Sequence, residues 1–151
     1  MMEPCCASDF ASDLPSDLEQ VVDTMIALTQ LSQLDGALVA GSESMELYLS
    51  LRRRGFVRVI TSTMCRTFRR QYAVALIAAR DTLTALDQAS ALLGANAAVA
   101  VLVGPRDGQF CIKVRERLQQ SGFRIEAGVR CHRGLVLSAS RQGYARMEAA
   151  A

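Results

Sequence analysis

Residues 36–60 read GALVAGSESMELYLSLRRRGFVRVI, and this stretch decides the fold class. Ala37-Leu38-Val39-Ala40 is a short unbroken apolar run closed by Gly41. Such a run between turn residues fits a strand covered on both faces. Ser42-Glu43-Ser44 opens a helix whose Met45, Tyr48, Leu49 and Leu51 are expected to face inward. Arg52, Arg53 and Arg54 fill its last turn, where cations suit the helix dipole, and Gly55 ends it. Val57 to Ile60 then returns as a strand. Strand, helix and strand in close succession is the unit from which parallel sheets are built.

The alternation repeats downstream. Tyr72 to Ala79 (YAVALIAA) is expected to be a third buried strand. Asp81 or Thr82 caps a helix bearing Leu83, Leu86, Ala89 and Leu93, with Gly94 as its stop. Ala97 to Val103 (AAVAVLV) is a fourth strand, ended by Gly104-Pro105. A helix from about Gln109 to Gln120, with Ile112, Val114 and Leu118 apolar, stops at Ser121-Gly122. The period then changes. Phe123 to Cys131 alternates in part, His132-Arg133-Gly134 turns, and Leu135 to Ser140 returns, which predicts an antiparallel hairpin.

Upstream, Ser16 and Glu19 stand in the S-x-x-E spacing of a capping box. Leu18, Val21, Val22, Met25, Ile26 and Leu28 follow at helical spacing, with Leu31 and Leu34 behind them. The spacing predicts an amphipathic helix of about 17 residues, ended near Asp35-Gly36. The whole therefore reads as an α/β domain over residues 16–141. Its expected architecture is a three-layer Rossmann-like sheet of about four parallel strands with a C-terminal antiparallel hairpin and an N-terminal amphipathic helix. Through Val59, Val39, Leu76 and Val101, the expected spatial order is 59–39–76–101. Residues 1–15 read as a mobile tail and residues 142–151 as a frayed one.

Composition bounds the function. Of 151 residues, 50% are hydrophobic and 21% charged, which argues against disorder of the whole chain. Only 5% are aromatic and none is Trp, so the core must be Leu, Val, Ile and Ala. A net charge of +2 excludes a strongly basic nucleic-acid coat protein. That balance hides an asymmetry. Residues 1–35 hold 7 acids and no Lys or Arg, and residues 36–151 hold 17 bases and 8 acids. The acids read either as solvated faces or as a cover over the basic body. The five cysteines form no C-x-x-C, and His132 is the only histidine, so the sequence predicts free thiols in a reducing compartment and no metal site. The start has no basic segment followed by an apolar run, and the longest apolar stretch falls far short of the ~20 residues that span a bilayer. A cytoplasmic protein without membrane contact is expected.

At the two ends of the domain, specific residues resemble the class I S-adenosylmethionine-dependent methyltransferases. Gly36 to Ile60 is similar to that family's opening strand, loop, helix and strand. Leu118-Gln119-Gln120-Ser121-Gly122-Phe123-Arg124-Ile125 resembles the Gly-Phe entry to its final hairpin, and Leu135 to Arg141 (LVLSASR) its last strand. The resemblance covers residues 16–141 and implies S-adenosylmethionine as cofactor. It places cofactor contacts on Gly41, Ser42, Glu43 and Ser44, with Thr61 or Ser62 in place of the acid that accepts from the ribose hydroxyls. It puts Asp81 and Asp107 nearest the transferred methyl group. The chain also departs from the pattern. Only Gly41 stands for the family's glycine-rich loop, Val59-Ile60-Thr61-Ser62 holds no carboxylate, and the space between Ile60 and Tyr72 is short for a further helix and strand.

Each candidate has a plainer reading. Gly41 serves a sharp turn, Glu43 suits a helix's first turn, and Asp81 and Asp107 suit helix caps or loops. Arg52, Arg53, Arg54, Arg58, Arg66, Arg69 and Arg70 form a second candidate surface, for phosphates or nucleic acid, against the reading of a solvated face. Two functions stay open at this point: a methyltransferase-like protein with weak or lost cofactor binding, and a non-catalytic module that contacts another protein or regulates one. The partner, a small molecule or a protein, and homo-oligomer formation are likewise open.

Overall fold

The computed structural model describes residues 18–62, 72–78, 80–104, 108–131 and 133–141. The strands are β1 (Ala37–Ala40), β2 (Val59–Thr61), β3 (Tyr72–Ala78), β4 (Leu93–Val103), β5 (Phe123–Cys131) and β6 (Gly134–Arg141). The helices are α1 (18–29), α2 (Ser44–Arg53), α3 (Thr82–Ser90) and α4 (Gly108–Gln120). Among the described residues the strands form one six-stranded sheet in the order β2-β1-β3-β4-β6-β5. β1 pairs parallel with β2 and β3, and β3 pairs parallel with β4, so the expected order 59–39–76–101 is the observed one. β6 runs antiparallel to both β4 and β5.

Each central strand buries both faces, which is why these runs are unbroken in the sequence. Leu38, Ala40, Ala75, Ile77, Val99, Val101 and Val103 pack with α3 and α4 through Ala85, Leu86, Ala89, Val114 and Leu118. Ala37, Val39, Val74, Leu76, Ala78, Ala100 and Leu102 pack on the other side with Val21, Val22 and Met25 of α1 and Leu47 and Leu51 of α2. The residues alternate between the two cores with the period of a strand. Right-handed crossovers explain the split. The chain steps one way from β1 to β2 and the other way from β3 to β4, so α2 and α3 fall on opposite faces.

Four expectations need correction. The first helix ends at residue 29, well before Gly36. Gln30 takes the left-handed conformation (φ 55°), and the Leu31 N–H donates to the Ile26 carbonyl at 3.2 Å. This is a Schellman stop with Gln in the place usually held by Gly, and Leu31 is buried beside it while Leu34 is 81% exposed. In α2 the inward row is Leu47, Ser50 and Leu51, while Met45 and Leu49 are exposed. Ser50 can be buried because its hydroxyl donates to Glu19 at 3.0 Å. In α4, Val114 and Leu118 are buried, but Ile112 faces solvent.

The fourth correction concerns α3, which stops at Ser90 and leaves Leu93 and Gly94 to β4. A residue far along the chain holds this helix end. Arg141 donates to the carbonyls of Ser90 and Leu93, both at 3.0 Å, and lies 4.6 Å over the Phe123 ring. Ser16, Ala79, His132 and the tails at 1–15 and 142–151 lie outside the described residues, so the capping box and the tail readings fall outside them too. No helix among the described residues is long and apolar enough to cross a membrane.

Gly134 begins β6 with φ 142°, and a Cβ there would run into the Val103 carbonyl oxygen and sit 3.1 Å from Gly104 Cα. The hairpin turn therefore presses backbone to backbone against the carboxyl end of β4, which only glycine allows. Gly134→Ala is expected to lower stability by about 3 kcal/mol, from a strained φ together with a backbone shift. Gly104→Ala, with nothing within 4 Å of its Cβ position, should stay within about 0.5 kcal/mol of wild type. Urea unfolding followed by circular dichroism checks both.

Candidate functional site

The order of strands reverses between β1 and β3, so the crevice of this sheet lies at their carboxyl ends. The chain leaves β1 through Gly41, whose φ of 107° is open to glycine and strained for other residues. Glu43 takes the N-cap position of α2, with no hydrogen bond from its side chain to the helix. The loops after β1 and β3 are stitched together at the crevice. The Glu43 N–H donates to the Ala78 carbonyl at 3.1 Å, and the Arg80 N–H donates to Ser42 Oγ at 3.2 Å. The Ser44 N–H turns back to the Gly41 carbonyl at 3.2 Å. The backbone donors of Glu43 and Ser44, which the resemblance assigns to the cofactor, are thus already satisfied within the chain.

The other candidates separate by burial. Thr61 is fully buried and in register with Val39, so it belongs to the interior of the sheet. Ser62 is half-buried just beyond the end of β2, and its N–H donates to the Val39 carbonyl at 2.9 Å. Of these two hydroxyl residues, Ser62 is the one that reaches the surface at the end of β2. Asp81 occupies the N-cap position of α3, exposed, without a side-chain cap bond. Asp107 lies outside the described residues. Gly41, Ser42, Glu43 and Ser44 are therefore brought together with Arg80, and Ser62 stands on the strand beside β1.

One residue at this edge was missed from the sequence. Arg133, in the turn that Gly134 pins to β4, donates from Nη1 to Glu43 Oε1 at 2.9 Å. β6 and β1 are separated in the sheet by β4 and β3, so this ion pair bridges over the carboxyl ends of both. Both side chains are about a third exposed (35% and 32%), which leaves the pair reachable from solvent. No spacing rule joins positions 90 residues apart. The available signal was the hairpin itself, whose turn must lie at the carboxyl end of β4. At the opposite edge of the sheet, Gly36, Val57, Arg58, Val59, Ile60 and Tyr72 line a pocket of about 370 Å³. It meets none of the candidate cofactor residues, although Arg58 of the candidate arginine surface lines it, and the helices that follow strands, α2, α3 and α4, begin at the opposite, carboxyl edge. Among the described residues no group of three or more His, Cys, Asp or Glu could hold a metal, and Cys111 and Cys131 are free thiols.

No protein-family model and no curated protein matches the sequence. Solved structures do match by shape. A precorrin-6y C5,15-methyltransferase from Geobacter metallireducens superposes with a TM-score of 0.57 at 11% identity, over 82% of this chain and 88% of its own. An S-adenosylmethionine-dependent O-methyltransferase from Thermotoga maritima gives 0.59 at 12% identity, over 82% of this chain and 65% of its own. The 1,6-didemethyltoxoflavin-N1-methyltransferase of Burkholderia thailandensis, solved with S-adenosylhomocysteine bound, gives 0.56 at 16% identity, over 89% and 83%. At such identities the likeness is one of fold. The chain has the Rossmann-like fold of the class I S-adenosylmethionine-dependent methyltransferases.

Part of the arginine surface is engaged within the chain. Arg54 forms ion pairs with both Glu19 and Asp23 of α1, and Arg53 pairs with Glu19 at 3.2 Å. Arg52 donates to the Val57 carbonyl at 3.1 Å, and Arg58 to the Leu34 carbonyl at 2.8 Å. Arg66, Arg69 and Arg70 lie outside the described residues. The acidic helix does cover part of the basic body, and Arg53 and Arg54 serve to dock it.

Burial pushes the Glu19 carboxyl up, but hydrogen bonds from Arg54 and Ser50, the Arg54 charge and a bond from Arg53 outweigh it. The carboxyl sits below its ordinary pKa. A depressed carboxyl contributes stability that is present above its unfolded pKa and lost as pH falls through the folded value. Amide exchange along 18–29 should therefore speed up below pH ~4 relative to α4. Glu19→Ala should cost about 1 kcal/mol at neutral pH, after solvent screening, and should remove that pH dependence.

Proposed function

We propose that this domain binds S-adenosyl compounds at the carboxyl edge over Gly41 to Ser44, with low affinity, and works as a methyltransferase-like module. The observation that carries the reading is Gly41. It stands at the point where the strand order reverses, holds φ 107°, and leads directly into the N-terminus of α2. A backbone without a Cβ lets a ligand approach there, and the start of α2 favours a negatively charged group. When bound, S-adenosylmethionine supplies a sulfonium whose methyl carbon is the electrophile. The chain's part is to bind and orient, which is the larger share of catalysis for an in-line displacement. Gly41 and Ser42 form the wall of the edge, Ser62 offers its hydroxyl to the ribose, and Asp81 stands exposed at the end of β3 toward a methyl acceptor.

Low affinity follows from the same residues. A neutral hydroxyl at Ser62 forfeits about 1–2 kcal/mol against an ionised acceptor. The N–H groups of Glu43 and Ser44 must also leave internal partners before they can serve a ligand. That second point favours the alternative reading, a non-catalytic interaction module whose loops are tied shut by the Glu43–Ala78 and Arg80–Ser42 hydrogen bonds.

Calorimetric titration with S-adenosylmethionine and S-adenosylhomocysteine separates the two. The expected result is saturable binding that Ser62→Asp tightens about tenfold, by restoring an ionised acceptor at the end of β2. Gly41→Val, checked for folding by circular dichroism, should abolish binding. No heat at millimolar ligand with wild type and Ser62→Asp alike would overturn the methyltransferase-like reading in favour of the interaction module.

A further inference from the structure

The Arg133–Glu43 pair joins the hairpin turn to the loop after β1. Both side chains reach solvent, and exposed ion pairs contribute little to stability. Yet the chain directly after Arg133 is packed closely on β4. Gly134 locks it against the Val103 carbonyl and Gly104, and β6 pairs with β4 from Val103–Leu135 through Ala98–Ser140. The Arg133 guanidinium thereby reaches over the carboxyl ends of β3 and β4 to the loop that follows β1. The group it meets there is a carboxylate on a side chain. Glu43 falls in the stretch where the resembling family has glycines, so this carboxylate enters a space that a glycine would leave to a ligand.

We infer that Arg133 is a specificity-determining residue for the α-carboxylate of the amino-acid end of an S-adenosyl ligand, and that Glu43 occupies Arg133 in the free chain as an internal substitute for that carboxylate. This rests on the reading that S-adenosyl compounds bind at this edge. The chemistry matches on each side. Guanidinium forks recognise carboxylates by paired, charge-assisted hydrogen bonds. An ionised Glu43 opposes a ligand carboxylate in two ways, by repulsion and by competition for the same donor. The exchange keeps charge balanced at the edge: one carboxylate leaves Arg133 as another arrives. With about a third of each side chain exposed, Glu43 can swing outward to water without leaving a buried unpaired charge.

The test compares S-adenosylhomocysteine with 5′-methylthioadenosine, which shares the adenosyl thioether and lacks the amino-acid group. Both are titrated into the full chain and into Glu43→Gln and Arg133→Gln, each variant first checked for folding by circular dichroism and thermal unfolding. Glu43→Gln should tighten S-adenosylhomocysteine about tenfold and leave methylthioadenosine unchanged. Arg133→Gln should weaken S-adenosylhomocysteine about tenfold, again with methylthioadenosine unchanged. If both ligands bind but shift together, or neither shifts, Arg133 does not read the carboxylate and the inference falls while the binding edge stands. If neither ligand binds any variant, Ser62→Asp included, the binding edge falls and the inference falls with it.

Discussion

A sheet whose central strands are buried on both faces has one place left for chemistry, which is its rim. Every side chain of β1 is buried, and β3 from Val74 and β4 from Val99 are buried on both sides. A polar group there would have to be satisfied without water, so these runs are Ala, Val, Leu and Ile. The constraint propagates outward. Helices must cover each face, the crossovers must be right-handed, and the N-termini of the helices that follow strands, α2, α3 and α4, come to lie along one edge. The site is therefore a consequence of burial before it is a matter of any particular residue.

The hairpin completes that edge. β6 returns antiparallel beside β4, and the turn before it would stand clear of the parallel strands if Gly134 bore a side chain. Because it does not, the turn lies directly on the end of β4, and Arg133 reaches across two strands to the loop after β1. Arg141 secures the other end of β6 by filling the carbonyls that α3 leaves open at Ser90 and β4 at Leu93. The strand that closes the sheet thus also holds the end of α3 and places a cation at the rim.

Much of this architecture was legible in the sequence, because burial writes itself as period and as unbroken apolar runs. The strand order and the hairpin bounds at Phe123 and Cys131 followed from Val39, Val59, Leu76, Val101 and the Gly-Phe entry. Two of the corrections come from remote partners and one from a local residue. Gln30 ends α1 where a glycine was sought, and Arg141 holds the end of α3 in place of Gly94. Ser50 faces the interior in place of Leu49 because Glu19, 31 residues away, accepts from its hydroxyl. At the site, Gly41 to Ser44 and Ser62 were legible as the ends of strands. The stitching of Glu43 to Ala78 and of Ser42 to Arg80 was not, since those contacts depend on β1 and β3 being neighbours. Arg133 was hidden for the same reason.

The central claim is that the carboxyl edge between β1 and β3 remains the ligand edge of this fold. The most direct measurement is a map of backbone amide shifts during titration of the isotopically labelled chain with S-adenosylhomocysteine. The account predicts shifts concentrated at Gly41 to Ser44, Ser62, Arg80 and Arg133, with the opposite rim at Gly36, Arg58 and Tyr72 unmoved. Shifts centred on Gly36, Val59 and Tyr72, or a saturating response spread away from the carboxyl edge, would contradict it.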